Sequence, residues 1–309
     1  MHRKEGRMES HEVDRIPDEC INNTKSITPD EASNDDDEKQ LASSIADKIR
    51  NISISVSNEV DKSSGVSRIS SVGTTSVLRP LKNKLLVLDV NGLLVDLVCP
   101  RPKDHKADTV ITGRAVFKRP FYLEFLKFCF ENFEVAVWTS RMKKNVDKVL
   151  TFLIGDMKHK LLFCWDHSHC TMTEFKTLEN KHKPLVFKDL RKIWEKHDPN
   201  LPWEKGYFNE SNTLLLDDSP YKALLNPLHT SIFPFTYDFR NKDDNSLAIG
   251  GDLREYLGGL AKAENMAEYV GRNPYGQEGI NEKSASWNFY LEVLGSIATQ
   301  KLEKMSLSA

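Results

Sequence analysis

The chain has 309 residues, 28% of them charged and 39% hydrophobic, and its formal net charge at pH 7 is −2. This balance is that of an ordinary soluble protein, and it gives no indication of direct nucleic-acid binding. The sequence holds no run of about 18 apolar residues, so it predicts no membrane span. Its five cysteines are an odd number and lie in or near apolar segments, which favours a reducing compartment.

Residues 1–80 differ in composition from the rest of the chain. They are rich in Ser, Asn, Asp, Glu and Lys, contain the acidic run Asp35–Glu38 and include no aromatic residue. Such a segment buries too little apolar surface to offset the entropy lost on ordering, so we predict a disordered polar tail with a short helix near 39–52. The acidic residues also argue against a mitochondrial transit peptide.

From residue 81 onward, short apolar runs with polar ends predict buried strands, and apolar residues at helical spacing predict amphipathic helices. The predicted strands are 85–88, 134–138, 213–216 and a weaker one at 231–234. The predicted helices are 122–132, 143–153, 191–196, 250–263 and 285–304. Residues 98–118 are predicted as a polar loop or hairpin, and residues 158–187 as irregular.

Strands that alternate with helices predict an α/β fold with a Rossmann-like, doubly wound and mostly parallel sheet. We divide the chain into the tail at 1–80, a folded domain at 81–265, and a C-terminal extension at 266–309 that ends in a helix. The apolar residues of that last helix suit either packing onto the domain or binding a partner.

Polar residues of complementary kinds follow the predicted strands. Asp89 follows the first, Thr139 and Ser140 follow the second, Asp217 and Asp218 follow the third, and Lys188 follows a short apolar run. If the strands are parallel, these side chains converge on one crevice. Three carboxylates together repel one another unless a divalent cation such as Mg²⁺ neutralises them, and a hydroxyl and an ammonium group suit phosphate oxygens. The set predicts metal-assisted phosphoryl transfer to an aspartate, whereas a single Asp at a strand end can equally cap a helix.

Five motifs in this order resemble the haloacid dehalogenase superfamily. They are Asp89-x-Asn91-Gly92-x-Leu94, Lys118-Arg119-Pro120, Trp138-Thr139-Ser140, Lys188-Asp189-Leu190 and Leu216-Asp217-Asp218-Ser219-Pro220. The pattern is most similar to the small phosphatases that act on the carboxy-terminal domain of RNA polymerase II, also called the NLI-interacting-factor-like family. The resemblance covers about residues 81–265.

The resemblance implies a role for each motif residue. Asp89 would be the nucleophile that forms an aspartyl-phosphate, Thr139 or Ser140 would hydrogen-bond the phosphate, and Lys188 would neutralise it and orient Asp89. Mg²⁺ would be held by Asp89, the backbone carbonyl of Asn91 and Asp218, with Asp217 in contact or directly behind them. The family lacks a large cap domain, so the site would be open to a protein chain, with residues 141–187 as its wall.

Arg119 has two interpretations. It would line the entrance and help to hold a phosphorylated peptide, or it is a helix-entry residue that precedes Pro120 at the first helical position.

The sequence departs from the family pattern at two positions. The family has Asp two residues after the nucleophile and Thr two further on, whereas this chain has Asn91 and Leu93. In the family, the missing Asp acts first as the general acid and then as the general base, and Asn has no titratable proton. General acid–base catalysis contributes about 10²–10⁴-fold, so its loss predicts a slow enzyme or none.

Three functions therefore stay open. The first is a Mg²⁺-dependent serine/threonine phosphoprotein phosphatase, a phosphoric monoester hydrolase, that turns over slowly. The second is a pseudophosphatase that binds phosphorylated partners. The third is a subunit similar to the receptor of the mitochondrial inner-membrane import translocase, which neither a transit peptide nor a membrane span supports. The expected partner is a phosphorylated protein or peptide, the expected compartment is nucleus or cytoplasm with mitochondrion as the alternative, and the sequence does not indicate an oligomeric state.

Cys164 and Cys170 flank His167 and His169, and such side chains bind zinc in other proteins. The usual spaced ligand pairs are absent, so a packed loop beside the site is the preferred interpretation of residues 164–170.

Overall fold

The computed structural model describes residues 81–308, so the predicted tail and its short helix lie outside the described residues. In chain order the strands are β1 (Leu85–Leu88), β2 (Val95–Val98), β3 (Thr109–Ile111), β4 (Arg114–Lys118), β5 (Glu134–Trp138), β6 (Cys164–Trp165), β7 (Thr171–Thr177), β8 (Asn180–Phe187), β9 (Thr213–Leu216) and β10 (Ser231–Ile232). The α-helices are α1 (Tyr122–Asn132), α2 (Lys143–Ile154), α3 (Arg191–Trp194), α4 (Asp252–Lys262), α5 (Met266–Arg272) and α6 (Trp287–Ser308).

A five-stranded parallel sheet in the order β10-β9-β1-β5-β6 forms the centre of the fold. Leu86 and Leu88 of β1 pack on one face with side chains of α1, α2, α4 and α5. Leu85 and Val87 pack on the other face with Ile193 of α3. Because both faces are covered, these strands are continuous apolar runs, and the predicted doubly wound α/β fold is confirmed.

Strands β2, β4 and β3 form a separate antiparallel sheet beside the central one. Residues 98–118, predicted as a loop or hairpin, contain the β3–β4 hairpin. Its turn places Thr112 and Gly113 at φ values of 48° and 79°, a region that glycine occupies without steric cost. The sheet follows β1 directly, so it lies close to the residues that end that strand.

The prediction that residues 158–187 are irregular is wrong. They contain β6 and the two-stranded antiparallel hairpin of β7 and β8. Most of β7 is exposed or half-buried on both faces, so its sequence lacks the apolar alternation that marks a strand with one buried face. Pairing with β8 supplies the backbone hydrogen bonds that the local pattern did not reveal.

The predicted helices are confirmed within a few residues, and α5 is an additional helix that we did not predict. The last helix, α6, packs onto the domain, because its Tyr290 and Val293 lie in a hydrophobic cluster with Leu185, Phe187 and Tyr221. Among the described residues, no helix combines the length and the apolar character that crossing a membrane requires.

Candidate active site

The carboxyl ends of three neighbouring strands meet at one edge of the parallel sheet. Asp89 follows β1, Thr139 follows β5, and Asp217 follows β9. The strands are aligned so that Leu88 pairs with Val137 on one side and with Leu216 on the other. The predicted convergence of these strand-end side chains therefore follows from the register of the sheet.

Asp89, Asp217 and Asp218 form a compact carboxylate cluster. One carboxylate oxygen from each lies within 4.8 Å of the others. Asp89 is 2% exposed and Asp217 is fully buried. Burial of this much negative charge requires cations nearby, because an uncompensated ion in a protein interior costs several kcal/mol.

Two buried lysines supply much of that compensation. Lys188 Nζ lies 3.1 Å from Asp89 Oδ1 and also donates to Asp217 Oδ2. Lys222 Nζ lies 3.3 Å from Asp89 Oδ2, 2.8 Å from Asp217 Oδ1 and 3.9 Å from Asp218 Oδ1. The sequence interpretation included Lys188 and missed Lys222. The sequence signal that could have identified Lys222 is its position four residues after Asp218; the structure places Lys222 in the 3₁₀-helix Pro220–Ala223.

The cluster shifts the pKa values of two neighbouring carboxyl groups in opposite directions. Burial alone would raise the pKa of Asp89, but Lys188 and Lys222 outweigh it and lower that pKa to about 2. Burial and the charges of Asp217 and Asp89 raise the pKa of Asp218 to about 6, although Lys222 opposes the shift. Asp89 is therefore ionised at neutral pH, as a nucleophile must be, and Asp218 holds a proton in mildly acidic solution.

A cleft of about 660 Å³ opens at this edge of the sheet. Of the predicted site residues, it is lined by Asp89, Asn91, Thr139, Ser140 and Asp218. Lys188 and Asp217 lie behind this surface with no exposed area, so they support Asp89 from within the protein. The rim of the cleft is rich in basic side chains, namely Arg114, Arg141, His167, His182, Lys183 and Arg240. As the resemblance implied, residues of the 141–187 segment line one side.

The turn after Asp89 is held closely against the carboxylate cluster. Asn91 Oδ1 accepts a hydrogen bond of 2.9 Å from Leu97 N, which ties the turn to β2. Gly92 has a φ of 80°, and a Cβ at this position would lie 1.9 Å from Asp218 Oδ2. Only glycine fits here, both for its conformation and for the space beside Asp218.

Thr139 and Ser140 are both tied to the segments that follow them. The Thr139 hydroxyl accepts a hydrogen bond of 3.3 Å from Arg141 N. The Ser140 carbonyl oxygen lies 3.2 Å from His167 Nδ1, which must carry the proton because a carbonyl only accepts. These bonds fix the loop at the end of β5 where it borders the cleft.

The structure corrects the expectation that Arg119 lines the entrance. Its side chain is 4% exposed and does not border the cleft. Both carboxylate oxygens of Asp244 accept from it at 2.9 Å, and the Leu93 carbonyl accepts at 3.2 Å. A buried guanidinium with a bidentate carboxylate partner is a structural tie, so Arg119 joins the site loop to residue 244.

Within the described residues, the Cys and His side chains of segment 164–170 do not gather into a common set of metal ligands. Trp165 stacks on His169 with 4.9 Å between ring centroids, and Cys170 is buried. Among residues 81–308, the one group of three or more His, Cys, Asp or Glu side chains with ligand atoms close together is the carboxylate cluster. The preferred interpretation, a packed loop beside the site, agrees with these contacts.

The carboxylate cluster fits a hard divalent cation such as Mg²⁺. Its donors are all oxygens, which is the ligand type that Mg²⁺ prefers. Asp89 Oδ1 is buried and accepts no hydrogen bond of good geometry, although Lys188 Nζ lies 3.1 Å from it. In the part of the chain that the structure describes, this oxygen therefore has no hydrogen-bond donor of good geometry.

The fold and the cluster together define a phosphatase of the α/β class with an aspartate at the end of its first strand. Comparison with known families agrees, because residues 84–267 match the family of NLI interacting factor-like phosphatases. This match covers more than half of the chain, and the protein belongs to that family.

Several proteins are similar to the chain. An uncharacterised FCP1 homology domain-containing protein of Schizosaccharomyces pombe is 26% identical over 62% of this chain and 77% of its own length. The ubiquitin-like domain-containing CTD phosphatase 1 of Xenopus tropicalis is 25% identical over 70% of this chain and 62% of its own length. A probable C-terminal domain small phosphatase of Dictyostelium discoideum is 29% identical over 59% of this chain and 52% of its own length.

Among solved structures, fission yeast RNA polymerase II CTD phosphatase Fcp1 bound to beryllium fluoride aligns with a TM-score of 0.34 at 15% identity. That alignment covers 73% of this chain and 66% of the other. The chain thus spans between about half and three quarters of the length of the proteins it resembles.

Proposed function

We propose that this chain is a Mg²⁺-dependent phosphoprotein phosphatase that works through an aspartyl-phosphate on Asp89. The observation that carries the proposal is the position of Asp89. It lies at the end of a buried strand, borders an open cleft, is ionised by two buried lysines and lies in a cluster of three carboxylates. A set of buried charges of this kind has no structural need, since apolar residues would fill the same space more stably.

In the proposed reaction, a carboxylate oxygen of Asp89 attacks the phosphorus atom and the ester P–O bond breaks. Lys188 and Lys222 keep Asp89 ionised and oriented, and the loop at Thr139 and Ser140 offers hydrogen-bond donors to the phosphate oxygens. Mg²⁺ would be held by Asp89, Asp218 and the Asn91 carbonyl, with Asp217 behind them. It would offset the negative charge of the phosphate. Water then hydrolyses the aspartyl-phosphate and restores Asp89.

The proposed substrate is a phosphoserine or phosphothreonine peptide. The cleft is open, and its rim carries Arg114, Arg141, Lys183 and Arg240, so it suits an anionic segment of protein rather than an enclosed small metabolite. Two of the similar proteins are CTD phosphatases by name, which supports the same class. A substrate of that kind favours the nucleus over the mitochondrion.

One observation favours a second function, that of a pseudophosphatase which binds phosphorylated partners. Asn91 stands where the family has its general acid, and its Oδ1 is engaged with Leu97 N. The side chain at this position therefore keeps a structural role and has no proton to give. If no other group transfers the proton, the site would bind a phosphopeptide and release it unchanged.

Steady-state hydrolysis of a phosphoserine peptide by wild type, Asp89→Asn and Asn91→Asp, with Mg²⁺ and with EDTA, separates the two functions. We expect wild type to turn over slowly with Mg²⁺ and Asp89→Asn to lose at least about 10³-fold, as removal of a nucleophile does. If no other group of the site supplies the proton, Asn91→Asp should gain at least about tenfold, since general acid catalysis is worth about 10²–10⁴-fold. Asp156→Asn, an exposed carboxylate on the 3₁₀-helix Gly155–Lys160, is the matched control.

An inert wild type that is activated by Asn91→Asp would establish the pseudophosphatase. If wild type and Asn91→Asp are both inert and neither binds Mg²⁺, the catalytic proposal is wrong.

A further inference from the structure

The proposed reaction needs a proton donor that residue 91 does not provide. A serine alkoxide is a poor leaving group, so its oxygen must be protonated as the P–O bond breaks. Besides the proposed nucleophile Asp89 and the proposed metal ligand Asp218, two carboxyl groups line the cleft, Asp96 and Asp238. Their surroundings differ, and the difference selects one of them.

Asp96 lines the same cleft as Asn91. It is in β2, between the buried residues Val95 and Leu97, so its side chain is on the opposite face of the strand from theirs. The N–H of Leu97 is the group that Asn91 Oδ1 binds at 2.9 Å, and Asp96 is one peptide unit away from it. The strand thus brings a carboxyl group to the cleft next to residue 91.

The surroundings of Asp96 also favour its protonated form more than water does. Its side chain is half-buried, and its Oδ2 accepts a hydrogen bond of 3.2 Å from Phe239 N. Burial raises the pKa of Asp96, and the nearby Asp238 raises it further, while the Phe239 N–H, Arg240 and Arg141 act in the opposite direction. The net direction is upward, towards the range in which a carboxyl group acts as an acid and then as a base.

Asp238 and His167 suit this role less well. The Asp238 side chain is 49% exposed, and its carboxylate is already engaged in an ion pair of 2.9 Å with Arg240. His167 is held at the loop after β5 by its bond to the Ser140 carbonyl, and β5 lies on the opposite side of β1 from β9.

We propose that Asp96 is the general acid and base of this site and replaces the carboxyl group that residue 91 lacks; the proposal rests on the proposed phosphatase function. As an Asp89 oxygen bonds to phosphorus and the ester P–O bond breaks, the protonated Asp96 gives its proton to the departing serine oxygen. The Asp96 carboxylate then takes a proton from the water that attacks the aspartyl-phosphate. The P–O bond to Asp89 breaks, inorganic phosphate leaves, and Asp96 is protonated again.

The test compares wild type with Asp96→Asn on two substrates, a phosphoserine peptide and p-nitrophenyl phosphate. Asn keeps an oxygen that can accept from Phe239 N, so the substitution removes the proton and leaves the hydrogen bond. We expect a loss of about 10²-fold or more in kcat on the peptide, which needs an acid for the first step. On the aryl ester, whose leaving group needs no acid, we expect a rapid release of one equivalent of p-nitrophenol followed by slow turnover.

Two further variants exclude a merely structural effect. Asn91→Asp in the Asp96→Asn background returns an acid to the neighbouring position, and we expect it to restore peptide turnover at least about tenfold. Asp156→Asn removes an exposed carboxyl group on the 3₁₀-helix Gly155–Lys160, outside the cleft, and we expect its peptide rate to stay within about twofold of wild type. In wild type, kcat should fall at high pH as Asp96 loses its proton, and Asp96→Asn should lack this limb.

Equal peptide rates for wild type and Asp96→Asn would overturn the proposal. So would equal losses on both substrates without rescue by Asn91→Asp, because that result indicates a structural role. An inert wild type has a different meaning, since the proposed phosphatase function would then fail and the role of Asp96 with it.

Discussion

Different interactions stabilise the floor of the cleft and its wall next to Asp89. The floor consists of Asp89, Asp217, Lys188 and Lys222, and charges hold it together, with four ion-pair contacts of 3.3 Å or less. The wall next to Asp89 consists of residues 91–98, and hydrogen bonds hold it, such as the one from Leu97 N to the side-chain Oδ1 of Asn91. Ion pairs with the lysines keep the carboxylate of Asp89 charged at the floor, whereas the wall carries a neutral Asn91 and a half-buried Asp96.

The difference indicates where this chain can vary without loss of the fold. A change in the floor leaves an uncompensated charge in the protein interior, which is costly. A change of Asp to Asn in the wall keeps the shape of the side chain and an oxygen that accepts hydrogen bonds, and it removes only the titratable proton. The departures of this chain from its family pattern lie in the wall, at Asn91 and Leu93, while the charged floor is intact.

Removal of a lysine from the floor is expected to have the largest effect on stability. In Lys222→Met, the carboxylates of Asp89 and Asp217 lose a partner at 3.3 Å and 2.8 Å. Breaking a buried pair from one side costs about 3–5 kcal/mol, so we expect a decrease of that size in the free energy of unfolding, measured with urea in EDTA.

The control for this experiment is Lys84→Met, because Lys84 Nζ donates to the Ala261 carbonyl and lies in no ion pair of the cluster. We also expect Mg²⁺ to restore part of the stability of Lys222→Met, since a divalent cation can compensate the same carboxylates. If the two variants lose equal stability, charge is not what holds the floor together.

The contact between wall and floor at Gly92 is expected to give a smaller effect. In Gly92→Ala, the new Cβ would lie 1.9 Å from Asp218 Oδ2, so Asp218 must move away from the cluster. We expect Mg²⁺ binding, measured by calorimetry, to weaken at least about tenfold, with about 1–2 kcal/mol lost in stability from the left-handed backbone.

Gly113→Ala is a matched control on the β3–β4 turn. Gly113 has a φ of 79°, and a Cβ added there would have no atom within 4 Å. This variant should show the backbone cost without the loss of Mg²⁺ affinity. Equal Mg²⁺ affinities for Gly92→Ala and Gly113→Ala would mean that Asp218 does not hold the cation.

The smallest expected effect is a pH dependence of Mg²⁺ affinity at Asp218. The pKa of this carboxyl group is raised to about 6, while that of Asp89 is lowered to about 2. Below pH 6 a proton occupies Asp218 and must leave before the cation binds, so we expect affinity to fall up to about tenfold per pH unit. Above pH 7 the affinity should be constant.

Calorimetry at pH 5 in two buffers of different ionisation enthalpy measures the proton released. About one proton is expected in wild type, because Asp89 is already ionised. Asp218→Asn should release none. Release of no proton by wild type at pH 5 would contradict the raised pKa of Asp218.

The sequence allowed much of the floor to be predicted and little of the wall. Asp89 and Asp217 stand where apolar runs end, and parallel strands bring such ends together, so their convergence followed from periodicity alone. Lys222 was missed because its spacing of four residues from Asp218 indicates a contact only if the segment between them is helical, and the 3₁₀-helix there was not predicted. Asp96 lies in a short strand whose partner, β4, begins sixteen residues after β2 ends, so its place in the cleft depends on a pairing that the sequence does not display.

Arg119 shows the same limit of prediction from local sequence, because here the sequence suggested a role that the structure does not support. Its position before Pro120 and near the site motifs suggested an entrance residue, but its partner Asp244 lies 125 positions further along the chain. A contact at that separation is fixed by the folded shape and not by local sequence, so the structural tie was visible only in three dimensions.

The residues that match the family model do not include all the residues that hold the site in place. The match ends at residue 267, yet Gln277 Nε2 donates to the Asp218 carbonyl at 2.9 Å. Tyr290 of α6 stacks on Tyr221, the residue before Lys222. A fragment cut where the similarity stops would uncover Tyr221 and leave the Asp218 carbonyl without this donor. The segment after residue 267 thus supports the loop that carries Asp218 and Lys222, although it lies outside the residues that match the family model.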